Sequence, residues 1–149
     1  MTHGLDTSFL VAAEVAEHPE HAGVWQRIAE LRDQGGRFGL TAPVLAEFVH
    51  IVTDARRFTS PLTMAEALAK ARAWWEASEV ERIAADDEAM QWFLDAMAKH
   101  QLGRKRVLDT MLAATYRSAG VTSLLTLNAA DFAVFGEFSC LGTVNVQPE

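Results

Sequence analysis

The chain has 149 residues, half of them apolar and 22% charged, an ordinary globular composition that excludes a disordered tail, a collagen-like fibre or a low-complexity polymer. At this length one core and one domain, spanning residues 1–149, are expected. Thirteen Lys and Arg against twenty Asp and Glu give a net charge of −7, so the molecule as a whole repels polyanions, and nucleic acid must be met through a local basic patch or through bound cations.

The single cysteine, Cys140, excludes an internal disulfide and a metal-binding Cys pair. The longest apolar runs, such as Gly120 to Leu127, fall far short of the roughly 18 residues that span a bilayer. The start, Met1-Thr2-His3-Gly4-Leu5-Asp6, lacks the cationic and apolar stretches of a signal peptide. A cytoplasmic protein with no membrane association is expected.

In chain order, His3 to Leu5 reads as a strand that turns at Asp6-Thr7-Ser8 into a helix beginning at Phe9. Pro19 starts a second helix, with Val24, Trp25, Ile28 and Leu31 on one face and Gly35-Gly36 as its stop. A strand, Arg37 to Thr41, leads to Pro43, after which Val44, Leu45, Phe48, Val49 and Val52 mark a third helix that fades near Asp54 and the Arg56 to Pro61 loop. Thr63-Met64-Ala65-Glu66 is a capping box and opens a fourth helix that runs to about Ala77. Val80 to Ala84 reads as a strand and Asp86 as an N-cap. Met90, Phe93, Leu94 and Met97 form a helical face ending before Gly103. A basic loop, Arg104-Lys105-Arg106, precedes a helix from Val107 to Ala119, with Leu108, Met111 and Leu112 expected inward and Gly120 as its C-cap. Val121 to Thr126 is apolar enough for a strand buried on both faces, and Thr143 to Val146 is expected to form a last short one. Strands alternating with helices predict an α/β fold with a mostly parallel central sheet.

In an open parallel sheet, ligand-binding residues gather at the carboxyl ends of strands and the starts of the following helices. Asp6 closes the first strand, Glu47 sits about one turn into the helix after the second, Asp109 opens the helix after the basic loop, and Asp131 follows the strand Val121 to Thr126. Four carboxylates gathered on one sheet edge raise one another's pKa or require a cation. Oxygen-only ligation, with no Cys and no paired His, favours Mg²⁺ or Mn²⁺ over zinc. Such a site suits phosphodiester hydrolysis, since a hard cation makes water acidic enough to become the nucleophile.

Four segments carry a resemblance: Leu5-Asp6-Thr7-Ser8-Phe9-Leu10, Ala46-Glu47-Phe48, Leu108-Asp109-Thr110-Met111-Leu112-Ala113-Ala114 and Thr126-Leu127-Asn128-Ala129-Ala130-Asp131-Phe132. In order and spacing they resemble the signature segments of PIN-domain ribonucleases, especially VapC-type toxins. The resemblance implies a PIN-like α/β/α sandwich whose sheet has four to five strands. It also implies Mg²⁺- or Mn²⁺-dependent endonuclease action on RNA, a homodimer, and inhibition by a cognate VapB-type antitoxin. Asp6, Glu47, Asp109 and Asp131 match the family's acidic quartet as catalytic and metal-binding residues. Thr7 or Ser8 matches its accessory hydroxyl, Thr126 and Asn128 stand as further accessory groups, and Asn128 is an alternative to Asp131.

Other readings compete with these. Asp6 is a possible helix N-cap, Asp109 a helix N-terminal charge stabilised by the dipole, and Asp131 a cap for the short Ala133 segment. Glu47, on a helix expected to be largely buried, reads as a functional acid. His18 and His21 read as surface residues, and Trp74, Trp75 and Trp92 as core or interface residues, not a base-stacking platform. Arg104, Lys105 and Arg106 are the best phosphate contact in an acidic chain, with Arg56 and Arg57 next. A phosphohydrolase using Asp6 as nucleophile is the rival enzyme class, weakened by the missing second Asp in Asp6-Thr7-Ser8. A catalytically silent binding protein on the same fold is the third reading.

Overall fold

The computed structural model describes residues 1–144. Five strands, β1 (Thr2–Leu5), β2 (Arg37–Leu40), β3 (Val80–Arg82), β4 (Ser123–Leu125) and β5 (Ser139–Leu141), form one sheet in the order β3-β2-β1-β4-β5. Every pairing is parallel, with Gly4 beside Gly39 and Leu124. The helices are α1 (Thr7–Glu14), α2 (His21–Asp33), α3 (Ala42–Val52), α4 (Met64–Glu76), α5 (Asp87–Lys99), α6 (Val107–Ser118) and α7 (Ala130–Ala133).

Adjacent residues of a strand face opposite sides of the sheet, and the core divides accordingly. Leu5 and Leu125 join Phe9, Phe38, Phe48 and Trp74 in a cluster under α1 to α4. Leu124, one residue from Leu125, joins Ala113, Tyr116, Phe132 and Phe135 under α5 to α7. The result is the expected α/β/α sandwich.

The local signals act as the sequence predicts. Thr63 and Glu66 close the capping box, and the Asp86 carboxylate accepts the amide of Ala89. Gly35 and Gly120 end α2 and α6 with φ of 74° and 77°, values that cost glycine no strain. Two strand glycines have a different purpose. A methyl on Gly4 would lie 2.8 Å from the Tyr116 ring, and one on Gly39 2.9 Å from Ile83 Cδ1, so Gly4 lets α6 settle directly onto the sheet and Gly39 makes room for Ile83.

Several expectations are corrected. The last strand is Ser139–Leu141, beside β4. Thr143 and Val144 are not in a strand, and the rest of the expected Thr143 to Val146 strand lies outside the described residues. Leu108 is 72% exposed, because α6 turns its small residues, Thr110, Ala113 and Ala114, inward along with Tyr116. On α5 the inward stripe is Ala89 and Ala96, which allow close approach to α6, so Met90 and Leu94 are left exposed. The basic segment is a turn of 3-10 helix and not an open loop.

Candidate active site

The strand order reverses at β1, which has β2 on one side and β4 on the other. In open α/β sheets such a switch point opens a crevice at the carboxyl ends of the two central strands. Asp6 and Thr126 are the first residues beyond those ends. The Asp6 amide donates to the Leu125 carbonyl at 3.0 Å, which ties the two ends together.

The Asp6 carboxylate is held by three donors. Oδ1 accepts the Thr7 amide at 2.8 Å, and Oδ2 accepts the Thr126 hydroxyl at 2.6 Å and the Ser8 hydroxyl at 3.0 Å. Three of about four lone-pair positions are thereby filled, leaving one on Oδ1. Ser8 also receives the Leu127 amide, and Thr126 the Asn128 amide, so both hydroxyls bind the β4–α7 loop to the same carboxylate. Burial pushes the Asp6 carboxyl up, against the pull of these hydrogen bonds. Asp6 is also the N-cap of α1; the capping and site readings coexist.

Asp109 enters from the first turn of α6. Burial, then the charges of Asp6 and Asp131, push its carboxyl up to about 6, while Arg106 pulls it down and Glu47 adds a smaller upward push. Glu47 reaches the site from an exposed position on α3. This corrects the expectation of a largely buried helix, since only Val44, Phe48 and Val52 are buried there. Asp131, in the first turn of α7, is half-buried, and its amide closes a turn on the Asn128 carbonyl. Asn128 itself is exposed.

Asp6, Glu47 and Asp109 line a cavity of about 640 Å³ together with mostly apolar residues that include Pro43, Trp75, Ile83, Leu108 and Leu112. Trp74 is in the core and Trp92 packs edge-on against Phe135, whereas Trp75 faces this cavity.

The basic segment is divided in its roles. Arg104 and Lys105 are exposed. Arg106 turns inward and donates to the Asp131 main-chain carbonyl, with its Nε buried and without a partner among the described residues. Arg56 and Arg57 both pair with Asp54. His18 accepts the Glu20 amide and His21 lies against the Ala12 carbonyl, each in a local structural contact.

Sequence reasoning missed Tyr116. Its ring lies on Gly4, and its hydroxyl is 2.6 Å from the Leu5 carbonyl and 3.1 Å from that of Gly39. Asp109 is seven residues earlier, about two helical turns along the same face, so this anchor sets the height of Asp109 above the sheet. The glycines inside two strands were the available signal.

The donor set suits a hard divalent cation: it is all oxygen and strained by like charge. Among the described residues no three acids stand close enough to ligate one ion by themselves. That fits Mg²⁺, which keeps several waters and is commonly held by one or two carboxylates.

The PIN domain family matches residues 5–137, and the chain belongs to it. In sequence it is similar to ribonuclease VapC33 of Mycobacterium tuberculosis, 28% identical over 109 residues that cover 73% of this chain and 76% of that protein. In fold it is similar to the VapC20 toxin of M. tuberculosis, which cleaves the sarcin-ricin loop, with TM-score 0.69, 19% identity and 99% and 100% of the two chains covered. VapBC2 of Rickettsia felis, solved on a DNA fragment from its promoter, gives TM-score 0.69 at 17% identity, with 97% and 100% covered.

Proposed function

We propose that this protein is a metal-dependent endoribonuclease that acts as the toxin of a toxin–antitoxin pair. The observation that carries the reading is that Asp6, Glu47 and Asp109, from three separate parts of the chain, line one cavity, where burial and then the charges of Asp6, Asp131 and Glu47 raise the Asp109 pKa. Asp6 Oδ1 and Asp109 hold the principal Mg²⁺ or Mn²⁺, with Glu47 and Asp131 completing the acidic set through water. When bound, the cation supplies Lewis-acid activation of water and neutralises charge at the scissile phosphate.

The chain's own residues do the rest. Thr126 and Ser8 fix the Asp6 carboxylate so that one lone pair faces the site, and Thr7 supplies its amide to the same group. Glu47, exposed at the rim of the cavity, is the acid best placed to orient a water and take its proton. Arg106 holds the β4–α7 loop and partly offsets the acidic charge. Arg104 and Lys105 meet the RNA backbone.

An Asp6 nucleophile is disfavoured because its Oδ2 is saturated by two hydroxyls. A silent binding protein is disfavoured because all four acids of the quartet are retained. The partners follow the ribonuclease reading: RNA as substrate, a VapB-type antitoxin as inhibitor, and a second copy in a homodimer. The homodimer is supported by Met90 and Leu94, exposed large apolar side chains four residues apart on one face of α5, which a second copy would cover. On this reading the protein acts in the cytoplasm, where a toxin of this kind meets its RNA. The test is cleavage of total RNA by purified protein with Mg²⁺ or Mn²⁺, its loss with chelator and with Asp109→Asn, and its suppression by the product of a neighbouring small reading frame.

A further inference from the structure

The cavity beside the acids is unusual for a protein that handles a polyanion. Three acids, Asp6, Glu47 and Asp109, line it, and most of the rest of its lining is apolar. Arg82 is the one cation among the lining residues. Its guanidinium stacks on the Trp75 ring, 4.9 Å from the centroid, and its Nε donates to the Trp75 carbonyl at 3.0 Å. Arg82 is exposed, Trp75 is half-buried, and Arg82 makes no ion pair among the described residues. The stack is therefore a fixed platform of indole and guanidinium with its charge uncommitted.

Its distance from the acids is set by the sheet. Arg82 ends β3 and Asp6 follows β1, two strands away in the order β3-β2-β1, which is about 10 Å across the sheet. One nucleotide bridges such a gap from its phosphate to the far edge of its base. A nucleotide also has the cavity's own polarity: an anionic end for the cation held by the acids, and a flat π face for the apolar end. Single-stranded RNA is commonly recognised by bases stacked on aromatic rings or on guanidinium planes. An apolar peptide would leave Arg82 without a counterpart.

We propose that this cavity is a nucleobase subsite, in which the Trp75–Arg82 platform holds the base of the nucleotide adjoining the scissile phosphate and thereby contributes to the choice of cut site. The proposal rests on the ribonuclease reading for its meaning, but its test reads binding and not cleavage.

The probes are single-stranded hexaribonucleotides of A, C and U and an abasic hexamer of the same charge. They are titrated with Mg²⁺ into the full-chain Glu47→Gln protein, which loses the acid that takes the water's proton and keeps Asp6 and Asp109 for the cation, with tryptophan emission as one readout and affinity by anisotropy as the other. Base-bearing hexamers are expected to quench emission and to bind more tightly than the abasic one, by about tenfold for a stacked base. Trp75→Phe, which keeps an aromatic ring, removes the quenching and assigns it to this residue, and Trp75→Leu collapses the preference for base over abasic. Should Trp75→Leu fail to fold, Arg82→Gln, at an exposed position, is expected to shrink the same preference. Equal affinity for base-bearing and abasic hexamers, or no binding of either, overturns the proposal. So does Trp75 emission shielded in a dimer and indifferent to RNA, which assigns the cavity to a second copy. Loss of the ribonuclease reading is a separate result: no RNA is cut by the wild type with either metal, whatever the hexamers do.

Discussion

At Asp109 the chemistry and the stability of the protein are opposed. The unfolded carboxyl titrates near 3.8 and the folded one near 6. Between those values the folded chain keeps a proton that the unfolded chain has lost. The group's stabilising contribution is therefore complete below about pH 4 and is lost as pH rises through 6. Urea melts of the metal-free protein at several pH values are expected to show that decline, of about 1 kcal/mol once solvent screening of a half-exposed carboxyl is allowed for. Asp109→Asn keeps the shape, reduces the decline to what the raised Asp6 carboxyl contributes, and lowers RNA cleavage by orders of magnitude. Cation binding has the opposite pH trend, tightening as pH rises from about 5 to 7, because the ion displaces the proton. Thr126→Val tests the support beneath: it deletes the 2.6 Å donor to Asp6 Oδ2 while keeping the volume. Metal affinity, read by calorimetry, is expected to fall about tenfold to a hundredfold, the usual cost of losing a partner behind a ligand.

Among the elements, α6 is the one whose placement decides whether the site exists. Tyr116 anchors it through contact with Gly4 and two buried carbonyls. Tyr116→Phe leaves both carbonyls without that donor, a loss of about 1–3 kcal/mol in a denaturant melt. Gly4→Ala forces a methyl to 2.8 Å from the ring and is expected to destabilise by a similar amount. Both should lower activity with the acids intact, since Asp109 shifts with the helix. This anchor also shows where sequence reading stops. The capping box, the helix-ending glycines and the acids at strand ends are local signals, and each appears where its chemistry demands. Which side of a helix meets the sheet depends on what it packs against. Apolar content alone would turn Leu108, Met90 and Leu94 inward, but the tighter fit of Ala113, Ala114, Ala89 and Ala96 turns them out. Likewise Glu47 is legible as an acid one turn into a helix, while its exposure is fixed by the opposite face, Val44, Phe48 and Val52. β5 is three residues long and partly exposed, and its only strong specification is the free edge of β4.

At the scale of the whole molecule, the proposed reading requires an acidic protein to bind an anionic substrate, and two sources of positive charge are open to it: captured cations and a few side chains. The first source appears in stability. A cation that binds only the folded state at a hundred times its Kd adds about 2.7 kcal/mol, which for a chain of this size raises Tm by roughly 5–10 °C, and the Asp6→Asn, Asp109→Asn double variant should lose that response. The second source appears in salt dependence. Arg104 and Lys105 are exposed next to α6, whereas Arg106 is engaged with the Asp131 carbonyl and Arg56 and Arg57 with Asp54. Each phosphate contact releases counterions and steepens the fall of affinity with salt by about 0.7 units for single strands. Arg104→Ala with Lys105→Ala is therefore expected to flatten the slope of log affinity against log salt by about 1.4 units, measured on an Asp109→Asn background to prevent turnover. Arg106→Gln should leave that slope nearly unchanged and instead loosen the loop carrying Asp131, so that its loss appears in metal affinity. If Arg106→Gln also flattens the slope, by about 0.7 units, Arg106 reaches the phosphates in the complex as well, and its hold on the β4–α7 loop is released when RNA binds.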